Sequence, residues 1–269
     1  MPHPDGTPVW FELTTPDPAA AAAFYTAVAG WQVAASPVAE HGGYRLAGPD
    51  PETGVAGIMA PPPGAPPNAG WTLYFAAADV DAAAKRVQAL GGSLRVGPMD
   101  IPYVGRFALV ADPQGVPFSL MAGPGADTSR AFAPDRGATL GRAVWIELAT
   151  PDPDAAFAFY GALFGWIRAG AMPMGDMGDY AFIGDGGEGR PGAVMSSGTT
   201  GAPARWNWYV HVADIDAAIA AAQAGGGTLI QGPDPIPGGE YSANVLDPHG
   251  SQVGLVGARG GPAGQGDAT

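Results

Sequence analysis

"VWFELTTPDPAAAAAFYTAVAGW", Val9 to Trp31, returns 135 residues later as "VWIELATPDPDAAFAFYGALFGW", Val144 to Trp166, with 16 of the 23 positions identical. The same spacing aligns "WTLYFAAADVDAAAKRVQALGGSLRVGP" from Trp71 with "WNWYVHVADIDAAIAAAQAGGGTLIQGP" from Trp206, and "DPQG" at Asp112 with "DPHG" at Asp247. Only the middle of each copy needs a one-residue shift, where Tyr44 and Met59 answer Tyr180 and Met195. A period this long exceeds any solenoid unit and reads as a duplicated domain. The expected division is a first domain over 1–122, a linker over 123–141, a second domain over 142–257 and a disordered tail over 258–269.

Each copy opens with a strand pattern. Trp10 and Glu12 share one face, and Val9, Phe11 and Leu13 share the other. In "TPDP", Asp17 suits a helix N-cap because its carboxylate accepts the free amide hydrogens of the first turn. Pro18 suits the first helical position, where its missing N–H costs nothing. Phe24, Val28 and Trp31 fall on one helical face, as do Phe159, Leu163 and Trp166, and Gly30 and Gly165 mark the exits. "YRLAG" and "GVAGIMA" follow as short strands. A further strand opens at Trp71, then a helix from about Val80 to Leu90, closed by Gly91-Gly92. "SLRVG", "GRFALVAD" and "VPFSLM" complete the set, with "DPQG" as a type I turn between the last two. Each domain is thus read as βαβββ twice, giving an α+β chain of four such modules.

The 43 glycines and 29 prolines among 269 residues reach the level that flags disorder when no period is present. An apolar content of 46% and the placement of Gly and Pro between apolar runs argue instead for folded, loop-rich domains. The chain has no cysteine, which excludes disulfides, thiolate metal sites and cysteine nucleophiles. A net charge of −13 repels phosphate backbones and anionic membranes, so no nucleic-acid partner is expected. With neither a leader-like N-terminus nor an 18-residue apolar run, no membrane partner and a cytoplasmic location are expected. No Walker-type loop, G-x-S-x-G or H-E-x-x-H occurs, and "GDGGEG" at Gly184 reads as a turn.

Paired βαβββ modules, "FY…GW" on the first helix, "D-x-D" opening the second and "DPxG" before the last strand together resemble the vicinal oxygen chelate superfamily. That group includes glyoxalase I, extradiol dioxygenases, fosfomycin-modifying enzymes and bleomycin-resistance proteins. The resemblance covers roughly 7–121 and 142–256, and the tandem layout is similar to two-domain glyoxalase-like proteins. It implies that paired modules form a half-open barrel around a cleft. It also implies a divalent metal held by His, Glu or Gln from the first, fifth and last strands, with open positions for substrate oxygens.

Carried over position by position, those ligand places fall on Trp10, Thr72 and Ser119 in the first domain and on Trp145, Asn207 and Gly254 in the second. Trp does not coordinate, Gly has no side chain, and Thr, Ser and Asn are weak ligands without carboxylates beside them. No metal is therefore expected at the family positions. A displaced divalent-metal or acid/base site remains open at Glu12, Glu147 and His211, since Glu12 and Glu147 lie two residues past the lost ligands on the same strand face. Against it, the first domain has Ala76 where the second has His211. A partly exposed strand histidine and two glutamates hydrogen-bonded to backbone or to Trp indoles are the plainer account. His3, His41 and His249 are read as surface residues.

Trp10, Trp71 and Tyr74 recur as Trp145, Trp206 and Tyr209. Trp10 and Trp145 either project into the cleft or pack in the core. In the cleft, bulky aromatics in place of ligands make a pocket for flat organic molecules, with Thr72, Tyr74, Ser119, Asn207 and Tyr209 beside them. "AMPMGDMGDY", Ala171 to Tyr180, reads as a lip carrying methionines. Two function classes follow. One is a small-molecule binder without a cofactor; the other is an enzyme of lyase, dioxygenase or hydroxylase type using the displaced site. Either works as a monomer, duplication replacing a dimer, or as a homodimer.

Overall fold

The computed structural model describes residues 3–66, 70–133, 139–187 and 189–260. Most of the expected tail, 261–269, and residues 134–138 of the expected linker lie outside the described residues.

The first domain runs β1 (Pro8–Thr14), α1 (Pro18–Ala29), β2 (Gln32–Ala35), β3 (Arg45–Gly48), β4 (Ala56–Met59), β5 (Gly70–Ala76), α2 (Val80–Ala89), β6 (Ser93–Ile101), β7 (Gly105–Ala111) and β8 (Pro117–Ala122). Asp17 caps α1 by accepting from the amides of Ala19 and Ala20 at 3.0 and 2.9 Å. Gly30 ends it in the left-handed conformation at φ 69°, which favours a residue without Cβ. After a short helix α3 (Pro124–Asp127), the second domain repeats the order. It runs β9 (Ala143–Thr150), α4 (Pro153–Phe164), β10 (Ile167–Pro173), β11 (Asp179–Gly184), β12 (Gly192–Ser196), the short α5 (Ser197–Thr200), β13 (Arg205–His211), α6 (Ile215–Ala224), β14 (Thr228–Pro235), β15 (Tyr241–Leu246) and β16 (Gln252–Gly257).

Each domain is one eight-stranded sheet, ordered β2-β3-β4-β1-β5-β8-β7-β6 and β10-β11-β12-β9-β13-β16-β15-β14. The two modules of a domain meet along the antiparallel pairs β1–β5 and β9–β13, and the sheets stay open rather than closing into barrels. The edge strand β6 runs further than "SLRVG" suggested, passing through Pro98. A proline is tolerated there because it sits at a register shift on a sheet edge, where no ladder hydrogen bond is lost. The expected linker is partly packed: Ala126 and Ala131 are buried, and Ser129 Oγ donates to the carbonyl of Val9. Among the described residues no helix is long and apolar enough to cross a membrane.

Phe11 and Leu13 are buried on the helix-covered face of the first sheet, and Ile146 and Leu148 on that of the second. These faces build one core across the domain boundary. Trp208 of β13 stacks on Phe11 with ring centroids 4.3 Å apart and on Trp31 at 6.0 Å, so Trp31 packs beyond its own helix and sheet. Phe75 meets Trp166 and Trp206 at 5.5 and 5.3 Å. A near two-fold repetition governs the polar contacts. Tyr25 donates to Asp247 Oδ2 and Tyr160 to Asp112 Oδ2, each at 3.2 Å, so each helix tyrosine reaches the "DPxG" aspartate of the other domain. Trp71 and Trp206 donate to those two phenols at 3.1 Å. Tyr25→Phe and Tyr160→Phe each leave a carboxylate oxygen and an indole N–H unmet. Each is expected to cost about 1–3 kcal/mol by urea unfolding. A loss in only one variant would show that the junction is not shared evenly.

Candidate functional site

Strand alternation turns Trp10 and Glu12 to the open face of the first sheet, away from the helices, and register fixes their neighbours. Trp10 lies opposite Tyr74, Glu12 opposite Thr72, and Tyr74 beside Ser119. Tyr44, just ahead of β3, comes over this face because residue 57 is glycine: a Cβ there would fall inside the Tyr44 phenol. Trp10 Nε1 donates to Tyr44 Oη at 2.8 Å; Tyr44 donates to Glu12 Oε2 and Tyr74 to Glu12 Oε1, both at 2.9 Å.

The second domain rebuilds the quartet. Trp145 Nε1 donates to Tyr180 Oη at 2.8 Å, and Tyr180 and Tyr209 donate to Glu147 Oε2 at 2.8 and 3.1 Å. Both phenols bond the same oxygen, so Oε1 of Glu147 accepts no hydrogen bond among the described residues, whereas both oxygens of Glu12 are taken. Gly254, at a family ligand position, lies under Tyr209, whose ring fills the place a Cβ would need. Tyr209 also accepts from Asn244 Nδ2 at 3.2 Å.

Burial pushes the Glu12 and Glu147 carboxyls above their ordinary value of 4.5, and the tyrosine hydrogen bonds only partly offset it. Burial likewise pushes Tyr44, Tyr74, Tyr180 and Tyr209 well above 10. A carboxyl whose folded pKa exceeds its unfolded one takes up a proton on folding between the two values. Its contribution to stability is therefore lost as pH rises from about 4.5 through the folded pKa. Wild type is expected to lose melting temperature over that window relative to the Glu12→Gln/Glu147→Gln double variant in buffers spanning pH 4 to 7. A relative gain by wild type would contradict the sign.

Glu147 and His211, two members of the displaced site left open by the sequence, do not meet. Both lie on the open face, but Glu147 stands opposite Asn207, and His211 is four residues further along β13, about 13 Å at ~3.3 Å per residue. His211 is tied elsewhere, Nδ1 to Thr139 Oγ1 at 2.8 Å and Nε2 to Glu240 Oε1 at 2.9 Å. Glu12 and Glu147 sit in separate domains, outward of the shared core. Among the described residues no three His, Asp or Glu side chains converge as a metal site would require. At the family positions the donor set does not fit a metal either: the indole N–H groups of Trp10 and Trp145 are spent on phenols, and Gly254 is covered.

Thr72, Tyr74, Ser119, Asn207 and Tyr209 all lie on the open faces with Trp10 and Trp145, which are partly buried there. Tyr44 and Tyr180 were not singled out as site residues, although their correspondence was visible in the repeat. The "AMPMGDMGDY" lip forms the end of β10, a turn and the start of β11, with Met172, Met174 and Met177 exposed, and its last residue is Tyr180.

A duplicated βαβββ pair with a Trp–Tyr–Glu–Tyr cluster on each open face, and no converging His/Asp/Glu set among the described residues, defines a class: a tandem glyoxalase-like protein without the metal triad. Residues 7–120 and 142–255 match the Glyoxalase/Bleomycin resistance protein/Dioxygenase superfamily, and the chain belongs to it. It is 36% identical to "Putative glyoxylase CFP32" of Mycobacterium tuberculosis over 91% of this chain and 92% of that protein. It is 35% identical to "Anthracycline biosynthesis protein DnrV" of Streptomyces peucetius over 98% of each. Homoprotocatechuate 2,3-dioxygenase from Brevibacterium fuscum, solved with 3,4-dihydroxyphenylacetate, superposes with a TM-score of 0.66 at 17% identity, over 97% of this chain and 84% of that one; this likeness shows the fold alone.

Proposed function

We propose that the chain binds a flat aromatic small molecule on the open faces of its sheets. The observation that carries this is the quartet itself. On the open face of each domain an indole, at a place where the family resemblance puts a metal ligand, and two phenols surround a half-buried carboxyl. Such a surface offers stacking area with a few fixed polar groups, the usual make-up of a site for a planar organic ligand. The relatedness to DnrV, named for the biosynthesis of anthracyclines, which are fused-ring aromatics, supports the same ligand class. The working unit is read as a cytoplasmic monomer or homodimer, which light scattering would distinguish.

Titration of the protein with hydroxylated anthraquinones is expected to quench its tryptophan emission saturably, with a matching calorimetric heat. Absence of both across the panel would sink the proposal. A second reading, acid/base chemistry at Glu147, is favoured by its unbonded Oε1 and by Tyr209, which is polarised by Asn244. It requires turnover of a bound compound that Glu147→Gln abolishes.

A further inference from the structure

The two open faces share the quartet but differ around it, and the differences cluster. Arg205, at the start of β13, faces the same side as Asn207 and Tyr209 and stands opposite Ala149, one rung from the Glu147–Asn207 pair. Its counterpart in the first domain is Gly70. Beyond it lies an amide array. Asn207 Nδ2 donates to Asn244 Oδ1 at 2.8 Å, Gln252 Nε2 to the same oxygen at 3.0 Å, and Asn244 Nδ2 to Gln231 Oε1 at 2.7 Å. The corresponding places in the first domain hold Thr72, Pro117, Leu109 and Val96. One copy therefore carries an amide-rich, cationic surround, and the other, apart from Thr72, an apolar and uncharged one.

We propose that the second domain recognises a carboxylate on a planar aromatic ligand, with Arg205 as its counter-ion, and that the first domain does not. This deepens the binding reading above and rests on it. The Arg205 guanidinium is half withdrawn from water, yet among the described residues it makes no side-chain hydrogen bond and no ion pair within 4.0 Å; Glu147 attracts it without touching it. Its five N–H donors in a fixed fork are partly desolvated and lack a protein acceptor among the described residues, and a carboxylate matches the fork in two parallel bonds. Burial accordingly pulls the guanidinium pKa below its ordinary value. Asn207 adds a second recognition element: its Oδ1 is buried without a partner, an acceptor that a ligand hydroxyl reaches only by parting the side chains that cover it. A hydroxylated aromatic acid would meet both groups while its ring lies against Trp145 and Tyr180.

The test uses the full chain with its seven tryptophans replaced by 5-fluorotryptophan, and two probes, anthraquinone-2-carboxylate and its primary amide. Calorimetry is expected to show the carboxylate binding at least tenfold tighter than the amide. Arg205→Gln should bring it down to the amide's level, leave the amide unchanged, and be partly rescued by Arg205→Lys. The fluorine resonance that disappears in Trp145→Phe should be the one the carboxylate moves, while that assigned by Trp10→Phe stays. Equal affinity for the two probes in wild type, or equal weakening of both by Arg205→Gln, would overturn the charge recognition and leave aromatic binding standing. Movement of the Trp10 resonance alone would overturn the domain assignment only. If neither probe binds, both this proposal and the binding reading fall.

Discussion

Trp208→Ala is expected to lower the stability of the whole chain by about 3–5 kcal/mol, as the deletion of a large buried aromatic does when its surroundings cannot close up. Trp208 is fully buried and lies on Phe11 at 4.3 Å, Trp71 at 4.9 Å and Trp31 at 6.0 Å, all from the other domain. The matching residue of the first domain is Leu73, so the repeat is broken where its two halves meet and one large side chain fills the gap. Its Nε1 is buried without a partner, so Trp208→Phe, which keeps most of the ring contact and removes the unmet donor, is expected to cost much less. Calorimetry should show a single wild-type transition that moves down in Trp208→Ala. An unchanged midpoint would mean that the two domains do not depend on their shared core.

Trp145→Ala is expected to weaken aromatic-ligand affinity by about 10–100-fold, the range for removing a central aromatic anchor. Trp145 supplies stacking area and also donates to Tyr180, which in turn holds Glu147, so the truncation removes a platform and loosens its support. Trp145→Phe should recover much of the affinity if stacking dominates, and little if the indole N–H is needed to fix Tyr180. Titration with the anthraquinone panel reads both. Trp10→Ala is expected to have the smaller effect, because Arg205 and the amide array belong to the second domain. A larger loss from Trp10→Ala would place the main ligand site in the first.

Much of the fold could be read directly, because local chemistry dictated it. "TPDP" supplies both the capping carboxylate and the proline that starts each first helix, and Gly30 and Gly165 adopt the left-handed exits that they were expected to mark. The length of β6 was missed because Pro98 reads as a terminator unless a bulge at a sheet edge is known to absorb it. For the site, alternation correctly put Trp10 and Glu12 on one face, but distance along a strand set the limit. The shared face of Glu147 and His211 suggested a pair, and only the register, with Asn207 opposite Glu147, shows them four residues apart. Tyr44 and Tyr180 come from outside the strands that carry the other members, so no period linked them to a glutamate.

By itself the sequence determined the duplication and the order of its elements, because these depend on residue identity and short-range periodicity; the family resemblance added that Trp10, Thr72, Ser119, Trp145, Asn207 and Gly254 stand where ligands would be expected. What surrounds those places was decided by tertiary structure alone: tyrosines brought across from neighbouring segments onto half-buried carboxyls, and one core built through both domains around Trp208. Side chains far apart in the chain meet only once sheet register and domain packing have fixed which rungs face one another, and no local pattern encodes that distance.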